Sequence, residues 1–190
     1  AGGQSTWGWK QTMIVRTSGG GPPTEGSETL SMPFVPQNAV PRSLQDGEPN
    51  WVNPTGQTVR GSDRRGSGAY QSPRTSGGRS RSHQGTDYVS TPGQDVVAVA
   101  GGLMTRTAIA YPDDPRYTGV VILTPSGFEI KLLYVQADSS LVGNIVGPGT
   151  IIGTAQNIAA KWVGMTNHVH VEVRAPAGHH IDPASMIPTP

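Results

Sequence analysis

The apolar residues of this 190-residue chain fall almost entirely on one side of a divide near residue 80. Residues 1–80 hold nine Ile, Leu, Val or Phe, whereas residues 81–190 hold 28. The first stretch also carries 14 of the 26 glycines and 8 of the 17 prolines. A segment so poor in aliphatic side chains cannot bury enough surface to offset the entropy of ordering it alone. The second stretch can build a core. The expected organisation is an extended Gly/Pro/Ser-rich arm over residues 1–64, followed by one domain over residues 65–190.

The apolar-rich part reads as antiparallel β structure. "HVHVEVR" (168–174) alternates strictly, so as a strand it sets His168, His170, Glu172 and Arg174 on one face and Val169, Val171 and Val173 on the other. "GVVILTPSGFEIKLLYV" reads as a hairpin about the turn "TPSG", and "DVVAVAGGLMT" as a strand with a glycine bend. "SLVGNIVGPGTIIGTA" gives two short strands split by "GPG", and "APAGHHIDPASMIPTP" a turn-rich tail. Helical periodicity is absent apart from one short turn in "AQNIAAKWVGM". The fold class is all-β, sheet-built and sandwich-like.

The formal net charge of +1 gives no overall attraction to nucleic acid or membranes. Arg60, Arg64, Arg65, Arg74, Arg79 and Arg81 cluster among Ser and Gly without interleaved aromatics. That pattern reads as a solvated, flexible basic linker rather than a nucleic-acid arm. With no cysteine, disulfide scaffolds, thiolate metal sites and cysteine nucleophiles are excluded. No apolar run approaches the roughly 20 residues of a membrane span. The N-terminal "AGGQSTWGWKQTMIV" lacks a charged-then-apolar secretion signal, which suggests a signal already removed or exit by lysis or particle assembly. In the arm, Trp7, Trp9, Phe34 and Trp51 are the expected anchors for docking on partner chains, since buried aromatics dominate interface energetics.

Four side chains carry the chemistry: His83 and Asp87 in "SHQGTDY", His168 and His170 in "NHVHVEVR". Imidazole and carboxylate are the usual ligands of a zinc ion that does chemistry, which typically keeps three protein ligands and leaves one position open. An H-x-x-x-D segment and one histidine of a distant H-x-H supply such a set. One histidine is left over to handle protons. The pattern points to metal-assisted hydrolysis.

In their order along the chain these motifs resemble the lysostaphin-type (LytM-domain) zinc endopeptidases. "SHQGTDYVSTPGQDVVAVAGGLM" resembles the family's stretch from its first histidine through G-x-D to P-G-x-x-V-x-A-x-x-G. "GTIIGTA" resembles its G-x-x-I-G turn, "NHVHVEVR" its H-x-H strand and "IDP" its closing segment. The resemblance spans roughly residues 65–185 and implies a β-rich domain with an open groove that cleaves peptide bonds in bacterial peptidoglycan. It implies Zn2+ held by His83, Asp87 and His170, with His168 orienting or deprotonating the attacking water. Gln136 in "LLYVQADSS" stands where the family's Y-x-H segment has a second catalytic histidine. An amide cannot hold a proton near neutral pH, so the departure predicts a slow enzyme or an inactive one. Glu172 is a candidate partner for the histidines, and His179 and His180 read as a polar turn.

Two functions follow. The first is a zinc endopeptidase acting on peptidoglycan; the second is a weak or inactive descendant serving as a structural or wall-binding component. The arm and the missing signal fit a bacteriophage tail or virion component that breaches the wall during entry, with a secreted bacterial hydrolase as the alternative.

Overall fold

The computed structural model describes residues 50–76 and 79–190. The first five strands are β1 (Ser62–Asp63), β2 (Gly66–Ser67), β3 (Pro73–Ser76), β4 (Arg79–Ser82) and β5 (Thr86–Val89). Then come β6 (Asp95–Val97), β7 (Gly102–Tyr111), β8 (Asp114–Leu123), β9 (Glu129–Leu133) and β10 (Val135–Ala137). The chain closes with β11 (Ile145–Val146), β12 (Ile151–Ala155), β13 (His168–Arg174) and β14 (His180–Ile181). Single 3-10 turns lie at Ser139–Leu141, Ile158–Ala160 and Pro183–Ser185.

Among the described residues every strand pairing is antiparallel. The larger sheet runs β11-β7-β8-β9-β13-β14, with β5 also pairing β13; a smaller one runs β10-β12-β6, and β1-β2 and β3-β4 are separate hairpins. The core packs between the two larger sheets. Val169, Val171 and Val173 of β13 are fully buried in it, with Val120, Ile122, Ile130 and Leu132 of the large sheet and Val96, Val135 and Ile152 of the small one. Each such side chain removed from water contributes about 1.5–3 kcal/mol. The inward valines oblige the alternate residues of β13, including both histidines, to face the other way.

The all-β expectation and the hairpin about "TPSG" hold. "DVVAVAGGLMT" divides instead into β6 and the start of β7, which belong to different sheets. The strands on either side of "GPG" also separate, β11 joining β7 and β12 joining β6 and β10.

The domain begins earlier than its composition suggests. Val52 N–H donates to the Val99 carbonyl (2.8 Å), Arg60 N–H to that of Asp87 (2.7 Å) and Val89 N–H to that of Thr58 (3.0 Å). Trp51 packs edge-to-face on Phe128 at 5.7 Å and against the core of its own chain. Residues 51–64 are therefore part of the domain and not a docking arm, because β5 leaves an edge that this segment satisfies. Arg60 is likewise no linker residue, being among the largest fully buried side chains. Trp7, Trp9, Phe34 and the rest of the arm lie outside the described residues. No described helix is long and apolar enough to cross a membrane.

Candidate metal centre

The register of two strands brings the first two functional groups together. In the pairing of β5 with β13, Asp87 stands directly opposite His170. His83 arrives from the loop before β5, where the chain crosses close over His170 at Gly85. A Cβ at Gly85 would sit 2.2 Å from the Val171 carbonyl oxygen and 2.8 Å from His170 Cε1, so the H-x-G-x-D spacing needs glycine there.

The donor atoms meet at one point. His83 Nε2 lies 3.0 Å from His170 Nδ1, and Asp87 Oδ1 lies 3.2 Å from the first and 2.8 Å from the second. His168 Nε2 stands 3.6 Å from the same Asp87 oxygen. All four residues are buried. The three ligating atoms of His83, Asp87 and His170 form a set that can hold a metal ion.

The outer nitrogens fix which atoms face that point. His83 Nδ1 donates to the Ala69 carbonyl (2.9 Å), His168 Nδ1 to that of Thr166 (2.7 Å) and His170 Nε2 to the Glu172 carboxylate (3.1 Å). Carbonyl and carboxylate oxygens only accept, so each imidazole turns its other nitrogen's lone pair inward. Lone pairs and a carboxylate oxygen at such distances repel unless a proton or a metal cation lies among them. The residues therefore fit a divalent metal, and the acceptor behind each histidine is the usual device for orienting metal-bound imidazoles. Glu172 is also paired with Lys131 (2.6 Å), so it fills the partner role its place on the strand suggested.

The electrostatics agree. Burial by itself would raise the Asp87 carboxyl, but the adjoining His170 and His83 imidazoles hold it well below the ordinary value. Burial pushes the His168 imidazole down to about 4, so at neutral pH it is an uncharged base. Burial also opposes charge on His170, yet the Asp87 and Glu172 carboxylates on either side of the ring outweigh it and raise that imidazole.

Two residues that the sequence did not single out complete the site. Arg60 donates to the far oxygen of Asp87 from Nε (3.2 Å) and Nη2 (2.9 Å), while Asp63 and the Gly66 carbonyl hold its remaining nitrogen. No motif announces an arginine so distant along the chain. Tyr134 packs at right angles to His168, with centroids 5.1 Å apart, and 6.4 Å from the His170 ring.

Gln136, read as the replacement for a second histidine, is exposed; its amide meets Gln156 at 3.4 Å and no histidine. The displacement follows from Tyr134, whose φ of 65° resets the alternation as the chain passes from the large sheet to the small one. His179 is exposed in the turn, and His180 approaches Glu172 at 3.5 Å rather than the metal-ligand set.

The model of peptidase family M23 matches residues 81–183. No curated protein matches the sequence. Among solved structures, the SpoIIQ–SpoIIIAH pore-forming complex aligns at TM-score 0.54 and 18% identity, over 76% of this chain and 94% of that one. Csd3 of Helicobacter pylori aligns at TM-score 0.49 and 19% identity, over 70% of this chain and 36% of its own. Lysostaphin from Staphylococcus simulans gives TM-score 0.43 and 18% identity, over 57% of this chain and 50% of its own. The present chain thus spans half or less of the last two. With the family model covering more than half its length, the chain belongs to peptidase family M23.

Proposed function

We propose that this chain is a zinc-dependent endopeptidase that cleaves peptide cross-links of bacterial peptidoglycan. The observation that carries the reading is the convergence of His83 Nε2, Asp87 Oδ1 and His170 Nδ1, with the inward nitrogen of His168 beside them. When bound, zinc would polarise the scissile carbonyl and lower the pKa of the attacking water to about 7. His83, Asp87 and His170 would hold it. His168 Nε2 takes a proton from the attacking water, and the same proton passes to the departing amide nitrogen as the C–N bond breaks. The Thr166 carbonyl keeps His168 in the tautomer this requires. Asp63 in turn accepts from Thr166 N–H (2.8 Å), so the N-terminal segment steadies the loop that aims His168.

We further propose a place for the reaction, a bacteriophage tail or virion, with the arm over residues 1–49 docking on other chains. Its support is compositional: an arm rich in Gly and Pro and poor in aliphatics, next to a wall-directed domain. A second reading, an inactive descendant acting as a structural or wall-binding part of such an assembly, draws on one observation. The ring packed on His168 is a phenol and not a second imidazole. Zymography on walls of different cross-bridge chemistry, with and without chelator, separates the two readings. Zinc-dependent clearing supports the peptidase, and no clearing on any wall supports the inactive descendant.

A further inference from the structure

Tyr134 is the aromatic side chain nearest the catalytic imidazole, and its setting exceeds what packing requires. Its backbone lies in the left-handed region (φ 65°), a conformation that costs a residue other than glycine about 1–3 kcal/mol and that clusters at functional sites. Both backbone polar groups are tied down, N–H to the Thr118 carbonyl and C=O to Gln156 N–H, each at 2.8 Å. A glycine would make this sheet-to-sheet crossing without strain. The chain instead places a phenol there, against His168.

The hydroxyl stands at the end of a hydrogen-bonded chain. Trp162 Nε1–H donates to the Tyr111 hydroxyl (3.0 Å), which lies 2.8 Å from the Tyr134 hydroxyl. The Tyr111 and Tyr134 rings are nearly parallel, with centroids 6.0 Å apart. Indole N–H can only donate, so its bond leaves Tyr111 free to donate onward to Tyr134. With Tyr111 donating in this direction, the Tyr134 proton has no other partner among the described residues and is available to a group entering the site. Donation along such a chain strengthens the terminal donor.

We infer that Tyr134 is a catalytic residue that donates a hydrogen bond to the oxygen of the scissile carbonyl as negative charge builds there. The inference rests on the peptidase reading given above. The step balances without moving the phenolic proton. Water oxygen bonds to the carbonyl carbon, the π pair shifts to the carbonyl oxygen, and the water proton goes to His168 Nε2. That proton then reaches the amide nitrogen as the C–N bond breaks, leaving an amine and a carboxylic acid that ionises by losing the second water proton to solvent. One imidazole handles both transfers, and the phenol stabilises charge throughout.

The test compares the zinc-loaded full chain with Tyr134→Phe, which keeps the ring and removes only the hydroxyl. Zinc content should be equal. On purified peptidoglycan, kcat should fall about 100-fold with KM within about twofold, as for loss of one oxyanion donor. Binding of dimethylphosphinate, a tetrahedral anion without peptide specificity, is followed by phosphorus NMR and should weaken about 10-fold. Equal turnover and equal dimethylphosphinate affinity in the two proteins would overturn the inference. If the wild type binds zinc but cleaves no wall, the peptidase reading fails, and dimethylphosphinate affinity alone still decides whether Tyr134 donates. Should Tyr134→Phe not fold, Tyr134→His serves instead: retained cleavage with a new ionisation near pH 6–7 in kcat/KM supports a role at the reacting atoms, and an unchanged profile overturns it.

Discussion

At Asp87 two demands meet on one carboxylate: Oδ1 faces three imidazoles, and Oδ2 is gripped by the buried Arg60. Arg74 stands 3.5 Å from the same Oδ2. Replacing Arg60 with Met leaves that oxygen buried with only the more distant Arg74 to offset its charge, and breaking such a pair costs about 3 kcal/mol. Urea unfolding of Arg60→Met should show a loss of this order, and calorimetry should show zinc affinity reduced about 10–100-fold, as for other partners behind a ligand. Unchanged zinc affinity would confine Arg60 to stability. The histidines divide differently. His170→Ala should lose both zinc and cleavage, while His168→Ala should keep zinc and lose roughly 100-fold or more in turnover. Metal analysis beside a turnover assay checks both, and loss of zinc from His168→Ala would contradict the assignment. The three site histidines and the carboxylate were legible because metal ligation constrains residue type and spacing. Arg60 and Tyr134 were not, because a guanidinium behind a ligand and a phenol at a strand crossing obey no local pattern.

β13 was the most legible element, since valines on alternate positions admit one burial pattern, and that pattern aims the histidines. The long β7–β8 hairpin was less so. Its outer half, from Thr105 to Thr118, mixes exposed and buried positions without alternation, and bulges shift its register twice. Where the element turns, Asp114 is held by Arg116 at 2.8 Å and Lys161 at 2.9 Å. Hydrogen bonds from these two cations lower the Asp114 pKa below its ordinary value. A carboxylate with a depressed folded-state pKa adds stability above its unfolded pKa of about 3.9 and loses it as pH falls further. The melting temperature of Asp114→Asn should therefore decline less between about pH 5 and pH 2 than that of the wild type. Parallel profiles would mean that the exposed Arg116 and the Lys161 contact contribute nothing measurable. Gly85 tests the β5 entry directly. Gly85→Ala drives a methyl into the Val171 carbonyl, and overpacking of this kind costs about 1–3 kcal/mol. Zinc affinity should fall with stability, because His83 and His170 must separate to admit it.

Across the whole molecule, composition and structure divide the chain at different places. Aliphatic scarcity sets a divide near residue 80, the expected domain starts at residue 65, and the family match starts at residue 81. The fold nevertheless recruits Trp51 to the core, Arg60 to Asp87 and Asp63 to the loop before β13. A few anchors suffice here because the domain already has a core on which they can land, a circumstance that local composition cannot register. A chain cut to residues 65–190 loses all three anchors. The Arg60–Asp87 pair alone is worth about 3 kcal/mol once broken, against a typical domain stability of about 5–15 kcal/mol. We expect residues 50–190 to unfold cooperatively at the same denaturant midpoint as the full chain and to bind zinc equally well. Residues 65–190 should unfold at a markedly lower midpoint and bind zinc weakly or not at all. Limited proteolysis of the full chain gives an independent reading. If the arm requires partner chains, trimming should remove residues 1–49 and stop near Asn50, leaving zinc content intact. Trimming that runs on to residue 64 without loss of zinc would show that Arg60 and Asp63 are dispensable to the site.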